Sequence, residues 1–225
     1  MLSRLWYAVL AIALGIALAG AFLNKSAARR ETEFQLQEQL RRDRIEAELL
    51  LRLDARLRLD ALAPIAVNSQ VRQTLRSASG RSGAGDSNAR RRLSRKLVEL
   101  NSKLKEGKGQ LLFAVDNDGE VVAGLDKESL KSHRLGQMPL VADALRGNLR
   151  DDVWLYNGVV YRMAARPVFN GGRYVGAIVH GMAVDDQLAQ RLGDKLPGAT
   201  VAFFLRDELV AVSYTHLTLP TKRIV

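Results

Sequence analysis

An uncharged apolar run near the start constrains this chain more than any other feature. Leu5 to Leu23, LWYAVLAIALGIALAGAFL, holds no charge over about nineteen positions and is flanked by Arg4 and Lys25. As a helix it reaches about 28 Å, close to the thickness of a bilayer's hydrocarbon core. A helix satisfies its backbone amides internally, as hydrocarbon demands. Trp6 and Tyr7 stand where aromatic rings favour the membrane interface. Residues 1–24 are therefore expected to form a cytoplasmic tip and a transmembrane helix. Ala17-Leu18-Ala19 and Ala19-Gly20-Ala21 offer small residues at cleavage-like spacing. The length of the run and the helical pattern after it favour an anchor over a cleaved signal. Charge does not orient the span, because Arg4 lies on one side and Lys25, Arg29 and Arg30 on the other.

Beyond the anchor, a chain of 225 residues has room for one domain of ordinary size. Lys and Arg number 34 against 24 Asp and Glu, a formal charge of +10. The basic residues are interleaved with acids along helical stretches, and no aromatic-basic cluster marks a groove. Nucleic acid is not expected as a partner; a solvated basic face, or attraction to anionic headgroups, fits better. Cysteine is absent, which excludes disulfides, thiolate metal sites and cysteine nucleophiles.

From Glu31 to Leu62 there is no Gly or Pro, and good helix formers dominate. Leu36, Leu40, Leu50, Leu53 and Leu57 recur at spacings near three and four, which predicts an apolar stripe. Glu38 with Arg42 and Glu48 with Arg52 have the favourable i,i+4 spacing. A stalk helix is expected, packed on its own domain or on a second copy in a homodimer. Pro64 interrupts it, Asn68 to Leu75 is a shorter amphipathic stretch, and SASGRSGAGDSN (77–88) is a flexible linker. A basic helix from Arg90 to Lys105 completes the region 25–109.

Residues 110–212 read as strands and short helices. Gln110 to Val115 and Glu120 to Leu125 flank Asp116-Asn117-Asp118-Gly119, a hairpin. That turn lacks the further ligand positions and closing Glu of a calcium loop. Pro139 opens a helix that Gly147 closes. Asp152 to Tyr156, Val159 to Phe169 and Tyr174 to Val184 are strands joined at Asn157-Gly158 and Asn170-Gly171-Gly172. Asp185 caps a helix from Asp186 to Leu196, and Thr200 to Val212 forms a last hairpin. Hairpin connections make the sheet antiparallel, with helices on at least one face. The expected class is α+β.

Four segments carry a resemblance: the anchor with its long helix, FAVDNDGEVVAGL, VVYRMAARPVFNGGRYVGAIVHGMAVDDQLAQRL and GATVAFFLRDELVAV. Over residues 25–212 the chain resembles the Cache family, the PAS-like sensor domains of bacterial membrane receptors. The resemblance implies an inner-membrane protein with a periplasmic domain that senses a small molecule, a carboxylate or an amino acid. It also implies an output module further on, such as a histidine kinase or diguanylate cyclase. The alternative is a membrane-anchored interaction module without a small-molecule ligand.

The tail does not continue the strand pattern. Val-Ser-Tyr-Thr-His-Leu, from Val212, resembles one translated frame of a transposase sequencing adapter. Residues 213–225 are therefore expected to be non-native, and the natural gene to run on.

Chemistry has few candidates. His133, His180 and His216 are the only histidines, and no HExxH, GxSxG, P-loop or dinucleotide fingerprint occurs. No catalytic residue, metal or cofactor is expected in this chain. Strand alternation puts Tyr161, Met163 and Ala165 on one face, and Arg162, Ala164 and Arg166 on the other. Trp154 and Tyr156 share a face, and so should Tyr174, Ile178 and His180. PAS-like sensors hold the ligand over one sheet face, beneath the loop and helix between strands two and three. The resemblance thus implies Asp126, Arg134, Trp154, Tyr156, Tyr161, Arg162 and His180 as ligand-binding candidates. Arg would grip a carboxylate and the aromatic rings would wall the site.

Overall fold

The computed structural model describes residues 34–79, 86–104, 107–125 and 134–213. The apolar run 5–23, Asp126, His133 and residues 214–225 lie outside this set. Among the described residues no helix is long and apolar enough to cross a membrane. The chain divides into two compact units, Met1–Glu48 and Leu49–Val225. In the first, residues 34–48 are helical, with Arg42 and Glu38 paired at 3.6 Å.

Helix α1 covers 34–61. Within the second unit its buried positions are Ala55, Arg58 and Leu59, followed by Leu62, with Leu50 and Leu51 partly buried. Leu53 and Leu57, on the expected apolar stripe, are 53% and 60% exposed, so within this chain they do not pack on the domain. The packed face is rotated from the leucine pattern because alanine and the stem of an arginine also cover apolar surface. Pro64 starts α2 (Ala63–Ala66) at its first turn, and Asn68 caps α3 (Ser69–Ala78) by accepting from the Val71 amide. Asp86 caps α4 (Ser87–Lys103) through the Asn88 amide, so this helix starts three residues before the basic run that announced it.

Five strands form one antiparallel sheet, ordered β2-β1-β5-β4-β3. They are β1 (Leu111–Val115), β2 (Val121–Gly124), β3 (Arg150–Tyr156), β4 (Val159–Asn170) and β5 (Arg173–Ala183). The Asp116 carboxylate accepts from the Asp118 and Glu120 amides at 3.0 and 2.9 Å, which ties the first turn. Asn157 and Gly158 take φ of 49° and 76°, the left-handed pair that a two-residue hairpin needs.

Both faces are covered. On one, Leu59 and Leu62 with helices α2, α3 and α4 pack on Leu112, Ala114, Ala164, Val168 and Ile178. On the other, Leu140, Val141 and Ala144 of α5 (Pro139–Leu145) pack on Phe113, Val115, Met163, Ala165 and Val179. The expected alternation along β4 holds.

Along β5 it does not. Val168 pairs with Gly176, but Phe169 pairs with Tyr174, leaving one extra residue on β5. Such a bulge reverses the alternation. Tyr174 therefore lies on the α5 face against Gly147, while Ile178 and His180 lie on the other. Gly176 makes the bulge possible: its φ is 145°, and a Cβ there would overlap the Val115 carbonyl oxygen.

Helix α6 (Asp186–Gly193) is capped by Asp185 accepting from the Leu188 amide. It packs with a separate two-stranded sheet, β6 (Ala202–Leu205) and β7 (Glu208–Val212), around Leu50 and Leu51 of α1.

Candidate ligand site

A cavity of about 380 Å³ opens on the α5 face of the sheet, beside the edge strand β3. Leu111 and Phe113 reach it from β1, Leu135 and Met138 from the segment before α5, and Val153, Trp154, Leu155 and Tyr156 from β3. The position follows from strand order. An edge strand has a neighbour on one side only, so its large side chains overhang the cleft below α5 instead of being closed in. Among the described residues no charged side chain lines the cavity.

Among the described lining residues, Trp154 and Tyr156 are the ones whose side chains carry a polar group. The Trp154 indole Nε1–H is buried and has no hydrogen-bond partner among the described residues. A buried donor without a partner costs about 1–3 kcal/mol, and it belongs to a ring that lines the cavity. Tyr156 adds a phenol to the same wall. A small molecule with an apolar body and an acceptor end fits this lining.

The seven candidate residues do not converge. Trp154 and Tyr156 line the cavity, and Tyr161 packs partly buried on the same side, paired across strands with Trp154. Arg134 is exposed, forms an isolated bridge with Glu120 and is not among the lining residues, although its neighbour Leu135 is. Asp126 is outside the described residues. Arg162 and His180 are on the opposite face, beneath α1. Any ligand over the α5 face is therefore separated from them by the sheet.

On that opposite face Arg162 and His180 are 5% and 1% exposed. The Arg162 Nη1 donates to Asp54 of α1, and Arg58 Nε donates to the same carboxylate oxygen at 3.0 Å. The His180 Nε2 lies 2.8 Å from the Gly107 carbonyl oxygen. A carbonyl only accepts, so Nε2 carries the proton and Nδ1 is a bare lone pair. Burial drives the His180 pKa down to about 4, against the Gly107 hydrogen bond and with help from Arg58 and Arg162. His180 is thus a neutral core histidine at physiological pH.

Leu111, Phe113, Leu135, Met138, Val153 and Leu155 escaped the sequence reading. Pairing β1 beside β5 would have placed Leu111 and Phe113, whereas the loop residues Leu135 and Met138 carry no periodic signal. A second opening, about 990 Å³, lies between α4 and the β1–β2 edge and has Arg90, Arg91, Arg92 and Arg95 on its rim. Three of these are engaged locally: Arg90 with Glu120, Arg91 with Asn88 and Arg92 with Asp86. Two of the four charges, those of Arg90 and Arg92, are paired with carboxylates. Among the described residues no group of three or more His, Asp or Glu could hold a metal ion.

No protein-family model matches the chain, and no curated protein matches it. Solved structures do. The sensor domain of the V. cholerae histidine kinase DctB is 18% identical with a TM-score of 0.55, over 79% of this chain and 65% of that one. The ligand-binding domain of the Campylobacter jejuni chemoreceptor Tlp3, in complex with 4-methylisoleucine, is 14% identical with a TM-score of 0.51, over 78% and 67%. The periplasmic domain of Vibrio cholerae LuxQ is 15% identical with a TM-score of 0.50, over 76% and 78%. The chain thus spans just under two thirds of the DctB sensor domain. At these identities the likeness speaks for the fold, and the fold is that of the Cache-type, PAS-like periplasmic sensor domains.

Proposed function

We propose that this chain is the periplasmic ligand-sensing part of a bacterial membrane receptor, anchored through residues 5–23. The cavity under α5 carries the reading, with the indole ring of Trp154 and the ring of Tyr156 in its wall. The ligand is a small molecule with an apolar body and an acceptor group, and an aliphatic amino acid meets that description. This differs from a site built around Arg162, because among the described residues no cation lines the cavity. The Tlp3 structure holding 4-methylisoleucine supports the choice by analogy of fold. Signalling requires a bistable element, here the packing of α1 and α2 on the sheet. The chain's own chemistry is binding, and any output reaction belongs to another module.

Thermal stability of the detergent-solubilised full chain, measured against aliphatic amino acids and small carboxylates, tests the proposal. A saturable rise with at least one aliphatic amino acid is expected, abolished by the cavity-filling change Met138→Trp. If the rise survives Met138→Trp, or follows ionic strength alone, the cavity is not the site.

A further inference from the structure

The face of the sheet opposite the cavity carries a second arrangement of polar groups. Asp54 and Arg58 come from α1, and Arg162 comes from the centre of β4. Arg58 and Arg162 are 6% and 5% exposed, and both donate to one Asp54 oxygen. Among the described residues two guanidiniums therefore share a single carboxylate, one positive charge in excess. Arg191 of α6 adds to the positive potential at Arg162, and burial with these neighbours lowers the Arg162 pKa against the pull of Asp54. His180, neutral, offers no compensation.

The donors point the same way as the charge. Arg58 Nη1, Arg162 Nε and Arg162 Nη2 are buried and have no partner among the described residues. Nε and Nη2 form one edge of the Arg162 guanidinium, the fork of two parallel N–H bonds that grips an anion in bidentate fashion. An excess buried charge with an unused fork is strongly unfavourable unless an anion completes it.

We propose that Arg58 and Arg162 form a buried site for a small monovalent anion, a halide or a one-carbon to two-carbon carboxylate, clamped between α1 and the sheet. The anion accepts from the Arg162 fork and from Arg58 Nη1, while Asp54 holds the two guanidiniums in place. Its occupancy ties α1 to β4 on the face away from the cavity. The site therefore stands apart from the ligand reading above, and either can fail without the other.

The test uses the full chain in a neutral detergent at constant ionic strength, with sodium gluconate replaced stepwise by chloride, bromide, formate or acetate. A saturable rise in Tm of about 5 °C is expected at about 100 times the dissociation constant. Chloride and bromide acting alone would mark a halide site; formate and acetate acting alone would mark a carboxylate site. Arg162→Lys keeps the charge but removes the fork and should abolish the rise. Arg58→Lys should weaken it at least about tenfold, in line with the loss of one charge-assisted hydrogen bond. Bromide-soaked crystals should show an anomalous peak between Arg58 and Arg162. No rise in the wild-type chain, an equal rise in Arg162→Lys, or density there from water alone would overturn the proposal.

Discussion

His180 makes the stability of the sheet unit depend on pH, with a sign and size that follow from its surroundings. The ring is 1% exposed and donates to Gly107, and its pKa falls from 6.5 to about 4 on folding. The folded chain thus binds the proton more weakly than the unfolded chain. Protonation favours unfolding. The contribution is fully present above pH 6.5 and is lost as pH falls from there toward about 4. Between about pH 7.5 and about pH 5 the loss amounts to about 2 kcal/mol, from the linkage relation with those two values. Carboxylates titrate in the same range, so the wild-type curve alone does not isolate the histidine. Asp116, whose pKa burial raises, shifts stability in the opposite direction. His180→Gln keeps an N–H donor for Gly107 and does not titrate, and both chains share every other group. Urea unfolding at the two pH values, followed by Trp154 fluorescence in a Trp6→Phe background, gives the difference directly. The wild-type chain should lose about 2 kcal/mol more than His180→Gln. A difference below about 0.5 kcal/mol, the scatter of such comparisons, would refute the assignment of His180 as a buried neutral ring.

Three other perturbations test the packing. Gly176→Ala should cost more than about 2 kcal/mol, because φ is 145° and the added Cβ meets the Val115 carbonyl. Gly171→Ala, at φ 60° with open space around it, should cost about 1 kcal/mol by the same urea assay. Asp54→Asn strips two nearly buried guanidiniums of their shared carboxylate and should cost about 3 kcal/mol, seen as a lower urea midpoint at unchanged slope. Leu49, Leu53 and Leu57 are exposed at four-residue spacing, a stripe that suits packing on a second copy, one of the two arrangements expected from the sequence. Leu53→Glu with Leu57→Glu should leave monomer stability within about 0.5 kcal/mol and abolish cross-linked dimer in membranes. Unchanged cross-linking would exclude this stripe as the dimer contact.

The fold was legible where local chemistry dictates local shape. Asn157-Gly158, Gly171-Gly172, Asp185 and Pro139 each act within a few residues, and their turns, cap and helix start appear where they stand in the sequence. Alternation gave the two faces of β4, since a regular strand leaves no other choice. It failed at Tyr174 because one extra residue on β5 inverts the count, and a glycine in a strand permits a bulge without announcing one. The leucine stripe of α1 left open whether it packs on its own domain or on a second copy. Leu53 and Leu57 are exposed, and the helix turns Ala55, Arg58 and Leu59 to its own domain. The candidate site was half legible. Trp154 and Tyr156 could be named from strand parity and the family resemblance. The exclusion of Arg162 from that cavity depended on which helices cover which face, a tertiary fact. Leu135 and Met138 lie in a loop with no period, so only the folded chain brings them to the cavity.

The central claim is that the cavity under α5 binds a small ligand at Trp154. The chain has two tryptophans, Trp6 and Trp154, so Trp6→Phe makes Trp154 the sole indole reporter. Titration of that chain with L-valine, L-isoleucine and L-norvaline, to millimolar concentration, reads the cavity wall itself. The account predicts a saturable change in Trp154 emission with at least one of them, lost in Met138→Phe, which fills the cavity without adding an indole. Emission unmoved by any aliphatic amino acid would contradict it.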